Sequence, residues 1–198
     1  MAKVNMLITG YVKDNGQTVQ STVTLVQDNG HNIVVDPGMT YSPLDIVGAL
    51  KTHNLTPDDI DTVFITHHHP DHTRYMGLFT GARVYDYASI YASDQWLDID
   101  DGHQITPDVK IVHTPGHTDE DATLVVSNVE DFSEAQEHCT VAICHLWWFE
   151  GKDDDPTAKN MAQLRKSREK ISAIADYIIP GHGAGFATKQ VNRSGEDQ

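Results

Sequence analysis

The stretch Thr66-His67-His68-His69-Pro70-Asp71-His72 puts four candidate metal ligands, His67, His69, Asp71 and His72, within six residues. It follows Asp61-Thr-Val-Phe-Ile-Thr66, a run apolar in its middle that reads as a buried strand ending where the histidines begin. A strand that stops there presents its ligands on a loop, and a loop can turn several of them onto one point. Imidazole nitrogens combined with a carboxylate suit Zn²⁺ and related first-row metals. A catalytic metal commonly takes three protein ligands, so other segments must contribute. His117 in Thr114-Pro-Gly-His117 and His182 in Pro180-Gly-His-Gly183 each sit beside glycine in a turn.

A chain of 198 residues predicts a single domain spanning 1–198, with a polar tail from about Thr188 to Gln198 that frays. Met1 to Thr9 lacks the long apolar region of a signal peptide, and no run reaches membrane length, so no membrane partner is expected and the expected compartment is the cytoplasm. The only cysteines, Cys139 and Cys144, lie near the end of one predicted strand and read as buried thiols rather than a redox pair. The formal charge is -15, from 29 Asp and Glu against 14 Lys and Arg. That balance repels a phosphate backbone, which argues against a nucleic-acid partner, although a metal can create a local positive site.

Val4 to Tyr11, Val19 to Val26, Asn32 to Val35, Ala82 to Tyr85, Val109 to His113, Ala122 to Val126, Thr140 to Cys144 and Tyr177 to Ile179 read as strands. Asp28-Asn29-Gly30 supplies a hairpin turn. Ser42-Pro43 opens a helix with the stripe Leu44, Val47 and Leu50, and about Thr73 to Phe79 begins a second, with Met76, Leu78 and Phe79 packing inward. A long amphipathic helix is predicted from Thr157 to Ala175, capped by Asp153-Asp-Asp-Pro156, with Met161, Leu164, Ile171 and Ile174 on one face. An acidic loop, Asn128 to His138, joins two strands, and Tyr87 to Gly102 has too little periodicity to assign. Pattern alone establishes mixed α and β.

In its ordered motifs, His67-x-His69-x-Asp71-His72, then the Thr-Pro-Gly-His turn and the Pro-Gly-His-Gly turn, the chain resembles the metallo-β-lactamase superfamily of hydrolases. The finer likeness is to the metallo-β-lactamase domain-containing protein 1 type, through Ser21 to Val26, Gly77 to Phe79 and Ala175 to Gly183. The resemblance implies an αββα sandwich of two mixed β-sheets with helices on the outer faces, an α+β fold. It implies one or two Zn²⁺ ions, with Fe or Mn as alternatives. His67, His69 and His117 would hold one ion, and Asp71, His72 and His182 the second. Asp71 would also orient the attacking water. Asp36 has two readings, a residue that orients the metal loop from behind or an Asx-type turn residue. His68 is expected to point away, and His31, His53, His103, His113 and His138 match no motif.

Position 145 departs from the family. An aspartate that bridges two metals is usual there, and this chain has His145, whose neutral ring offers one lone pair. Either His145 ligates one ion alone, or, with the register off by one, Cys144 takes the position as a thiolate. Trp147, Trp148 and Phe149 are candidate pocket walls or core, as are Tyr87, Tyr91 and Trp96. The resemblance implies hydrolysis of a small ester, thioester or lactam-like substrate. Three alternatives stand beside it: a nuclease or phosphodiesterase of the same fold, an iron-dependent relative, and a non-catalytic binding protein.

Overall fold

The computed structural model describes residues 1–133 and 136–188; the polar tail, 189–198, lies outside the described residues. In chain order these form β1 (Lys3–Ile8), β2 (Tyr11–Lys13), β3 (Thr18–Gln20), β4 (Val23–Asp28), β5 (His31–Val35), α1 (Pro43–Thr52), β6 (Thr62–Phe64), α2 (Pro70–Thr73), β7 (Arg83–Tyr85), β8 (Ser89–Ala92), β9 (Gln95–Asp98), β10 (Gln104–Thr106), β11 (Val109–His113), β12 (Ala122–Ser133), β13 (Gln136–Ile143), α3 (Met161–Ser172), β14 (Tyr177–Ile179) and β15 (Phe186–Ala187). One sheet has the order β1-β4-β5-β6-β7-β8-β9, and the other β10-β11-β12-β13-β14-β15. Strands β2 and β3 form a separate ribbon. Each large sheet mixes antiparallel pairs with parallel ones, β5-β6-β7 in the first and β13-β14 in the second.

Alternation along the strands builds three apolar layers, because successive side chains in a strand face opposite ways. Val26, Ile33, Val35 and Phe64 from the first sheet meet Ile111, Leu124, Val126, Val141 and Ile143 from the second in the central layer. The intervening residues Leu25, Val34 and Val63 turn outward onto Ile46 and Leu50 of α1. On the opposite side Val125, Ala142 and Ile178 turn outward onto Leu164 and Ile171 of α3. Burying each large aliphatic side chain contributes roughly 1.5–3 kcal/mol, so both helices are held by their apolar faces more than by propensity. The result is an αββα sandwich.

Local signals place several ends. Asn29 and Gly30 take φ of 51° and 77°, the left-handed pair that a two-residue hairpin turn requires between β4 and β5. Ser42 and Asp45 form a reciprocal capping box at the start of α1. The buried face of α1 carries Ile46 and Leu50, whereas Leu44 of the expected stripe is 72% exposed. The expected first strand is broken at Gly10 into β1 and β2. Tyr87 to Gly102 contains the β8-β9 hairpin, and β12 and β13 extend through most of the expected acidic loop. Helix α3 is shorter than its periodicity predicts, because Asn160 rather than the acidic run caps it, accepting from Gln163 N at 3.0 Å. Ile174 therefore falls beyond the helix and is exposed, and Met76 is exposed in a short 3-10 turn.

Candidate metal centre

The carboxyl ends of strands from both sheets meet at one end of the sandwich. Strand β6 delivers the loop 65–72, and α2 carries Asp71 and His72. Strand β11 leads into the turn with His117, β13 runs into His145, and β14 into His182. Backbone bonds stitch the sheets together here: Ala122 N donates to Thr66 O at 2.9 Å and Thr22 N to Gly181 O at 2.7 Å.

All seven residues expected at the site come together. His67 Nε2 and His117 Nε2 each lie 3.0 Å from His69 Nδ1. Asp71 Oδ2 lies 3.5 Å from both His72 Nε2 and His182 Nε2. Bonds of about 2.0–2.1 Å in a tetrahedral centre separate neighbouring donors by about 3.4 Å, so these two edges of each triad are near those of a zinc-type site, and all donors within a triad lie within 4.8 Å of one another. His145 groups with His67 and His72, one member from each triad.

The outer nitrogens explain why these rings face inward. His182 Nδ1 lies 2.9 Å from the Gln20 carbonyl, which only accepts, so the proton is on Nδ1 and the Nε2 lone pair faces the centre. His117 Nδ1 donates to Asp155 Oδ2 and His72 Nδ1 to Asp36 Oδ2, both at 2.7 Å. The Thr66 hydroxyl donates to Asp36 Oδ2 at 2.7 Å and so can accept from His67 Nδ1 at 3.1 Å. Four Nε2 lone pairs thus converge with His69 Nδ1, which can donate to at most one of its two 3.0 Å neighbours. A donor set of lone pairs with one carboxylate is what a divalent cation satisfies, and outer partners of this kind fix ligand orientation.

Asp36 resolves its two readings in favour of orientation. It is 3% exposed and sits at φ 49°, with Oδ1 accepting from Thr66 N at 2.8 Å while Oδ2 serves Thr66 and His72. Burial and the crowding of imidazoles hold His67 and His145 well below the usual histidine range. Burial and the neighbouring His72 bring His182 down to about 4. At neutral pH these rings are neutral and their lone pairs available. Burial pushes His72 down as well, but the carboxylates of Asp36, Asp71 and Asp121 together outweigh it and raise that ring.

His68 turns away, its Nε2 3.0 Å from Asp86. Cys144 is buried, with its thiol pushed up to about 12 by burial, which leaves position 145 rather than 144 facing the donors. Of the three consecutive aromatics only Trp148 lines the cleft, while Trp147 packs outward against Phe186. Tyr87 stacks on His113, Tyr91 bonds Asp86, and Trp96 is exposed. Asp155, which falls in the acidic run expected to cap a helix, accepts from Thr157 through Oδ1 while Oδ2 holds His117. No local sequence signal separates it from Asp153 and Asp154, because only the fold brings it to the histidine.

Val12 and Val19 of the β2-β3 ribbon, with Trp148, wall a cleft of about 170 Å³ over His69, Asp71, His117, His145 and His182. A larger cavity of about 820 Å³ beside α3, lined by Trp147 and Arg168, contains none of the donor residues. The chemistry therefore belongs to the smaller cleft.

The family model described as the metallo-beta-lactamase superfamily matches residues 16–98, a span that holds Asp36 and the ligand loop. A Caenorhabditis elegans protein of unassigned function is 33% identical over 193 residues, 89% of this chain and 51% of its own, so the chain spans about half the length of that relative. The metallo-beta-lactamase domain-containing protein 1 of Rattus norvegicus is 31% identical over 180 residues, 83% of this chain and 67% of that protein. A hydroxyacylglutathione hydrolase of Aeromonas hydrophila is 35% identical over 107 residues, 48% of this chain and 39% of that protein. The crystal structure of a candidate metallo-beta-lactamase from Thermotoga maritima superposes with a TM-score of 0.72 at 19% identity, over 94% of this chain and 99% of that one. The chain belongs to the metallo-β-lactamase superfamily, which includes hydrolases. Within it the likeness extends to the domain-containing protein 1 type along most of the chain.

Proposed function

We propose that the chain is a metal-dependent hydrolase of small ester, thioester or lactam-like substrates, with zinc as its metal. The observation that carries this reading is the convergence of two donor triads, with edges of 3.0 and 3.5 Å, on the floor of a small cleft. His67, His69 and His117 would hold one ion, and Asp71, His72 and His182 are the donors for another. A bound divalent cation supplies a water acidified from a pKa of 15.7 to about 7 and polarises the carbonyl under attack.

The chain's own residues do the rest. Asp71 Oδ2 faces His72 and His182, which leaves Oδ1 to accept a hydrogen bond from the attacking water and aim it. Val12, Val19 and Trp148 give the acyl group an apolar wall and exclude bulk water. The Aeromonas relative supports the thioester class, since an acyl–glutathione bond is a thioester.

The test is a panel of ester, thioester, β-lactam and phosphodiester substrates, assayed with zinc-loaded and chelator-treated protein. The expected result is zinc-dependent cleavage of a carbonyl substrate, with kcat/KM falling by about 10²–10³-fold in Asp71→Ala. Val12→Asp should raise KM with kcat nearly unchanged. Cleavage of phosphodiesters alone would replace this reading with the nuclease one, and no cleavage by zinc-loaded protein would favour a binding role.

A further inference from the structure

We infer that the donor cluster takes one divalent cation tightly and a second at least about 100-fold more weakly, because His145 occupies the space between the two triads. This rests on the metal-dependent reading above and specifies its stoichiometry.

The geometry makes His145 the hub of the cluster. Its ring centroid lies 4.4 Å from that of His67, 4.7 Å from His72, 4.3 Å from His117 and 4.9 Å from His182, two members of each triad. The ring cannot retreat, since a Cβ built at Gly181 would lie 2.1 Å from its Nδ1. Two catalytic cations sit about 3.5–4 Å apart, and at that distance their repulsion needs a shared anionic ligand to offset it. A carboxylate has two oxygens for that purpose, whereas a neutral imidazole has one lone pair and no charge. Asp71 is the only carboxylate in the three donor groups among the described residues.

The outer contacts agree with this. His67, His72, His117 and His182 each have a hydrogen-bonding partner at Nδ1 that commits Nε2 to the centre. His145 Nδ1 is buried with none. Acting as a ligand through Nε2 would require a proton on that unpartnered Nδ1, leaving a buried donor unsatisfied. His145 is thus the donor least prepared to bind an ion, in the position where a second ion would depend on it most.

The experiment is titration of the metal-free chain with Zn²⁺ by isothermal calorimetry, paired with elemental analysis after desalting. The unmodified protein should retain one zinc per chain, with any second dissociation constant at least about 100-fold weaker. His145→Ala should also retain one. His145→Asp, which restores a shared carboxylate, should retain two with affinities within about tenfold. Two tight equivalents in the unmodified protein would overturn the inference while leaving the metal-dependent reading intact, and absence of tight zinc would remove both. If His145→Asp does not fold, the unmodified and alanine proteins still decide the stoichiometry. A folded His145→Asp protein that keeps a single equivalent would exclude His145 as the cause.

Discussion

Asp36 and Asp155 hold the donor rings from behind, and each does so with a carboxylate that has other obligations. Asp36 accepts from Thr66 twice as well as from His72, and Asp155 accepts from Thr157 as well as from His117. Replacing either with alanine leaves a buried Nδ1–H unpaired and frees a ring to rotate, so zinc affinity should fall by about 10–100-fold in each variant. Competition with a chelating dye measures that directly. An unchanged dissociation constant would show that packing alone orients the rings. The two thiols carry a second expectation. Burial pushes Cys139 up to about 11 and Cys144 up to about 12, so neither forms appreciable thiolate at pH 8. A disulfide reagent such as DTNB should label neither in the folded protein and both after denaturation; rapid labelling of one thiol in native buffer would contradict this.

At the scale of elements, the site depends on how α3 is docked against the turn that carries His117. Gly116 takes φ 152°, and a Cβ there would lie 2.4 Å from the backbone of Leu164. Asn160 N donates to Gly116 O and Lys159 N to His117 O, both at 2.9 Å, and Ser167 Oγ donates to Pro115 O at 2.8 Å. The helix, its cap and the ligand turn are therefore one joint. Gly116→Ala should cost about 3 kcal/mol or more, since backbone atoms must move to admit the methyl group. Urea denaturation reads this as a lower midpoint at constant slope. A change below about 1 kcal/mol would mean that the helix and turn separate easily.

For the molecule as a whole, metal binding and charge lead to separate measurements. If zinc binds the folded chain alone, free zinc at a thousand times its dissociation constant stabilises by about 4.1 kcal/mol. In a chain of this size each kcal/mol moves Tm by about 2–4 °C, so chelation should lower Tm by about 10 °C. A Tm indifferent to chelator would indicate that the donor cluster holds no ion under those conditions. Charge bears on partners. With 29 acidic residues against 14 Lys and Arg, and with Asp119 and Glu120 in a second opening beside His69 and His117, RNA should bind more weakly than about 1 μM near 150 mM salt. Submicromolar binding would promote the phosphodiesterase alternative. Among the described residues no helix is long and apolar enough to cross a membrane.

The ligand loop was legible from residues 66–72 because strand, loop and donor types lie within one short stretch, and the β4-β5 turn because Asn-Gly dictates positive φ locally. The opening of α1 was equally legible in Ser42-Pro43, whereas the start of α3 was misplaced because Asn160 caps it, and the buried face of α1 falls on Ile46 and Leu50 rather than on Leu44. The sandwich itself came from the resemblance, since residue patterns do not say which sheet faces which. Asp155 as the partner of His117, the Gln20 carbonyl behind His182 and the closed space behind His145 arise from contacts 38, 162 and 36 residues apart in sequence. Donor chemistry is a property of the residue and is written locally. Orientation is a property of what stands behind the ring, and here that is supplied by segments that meet only when the two sheets close on each other.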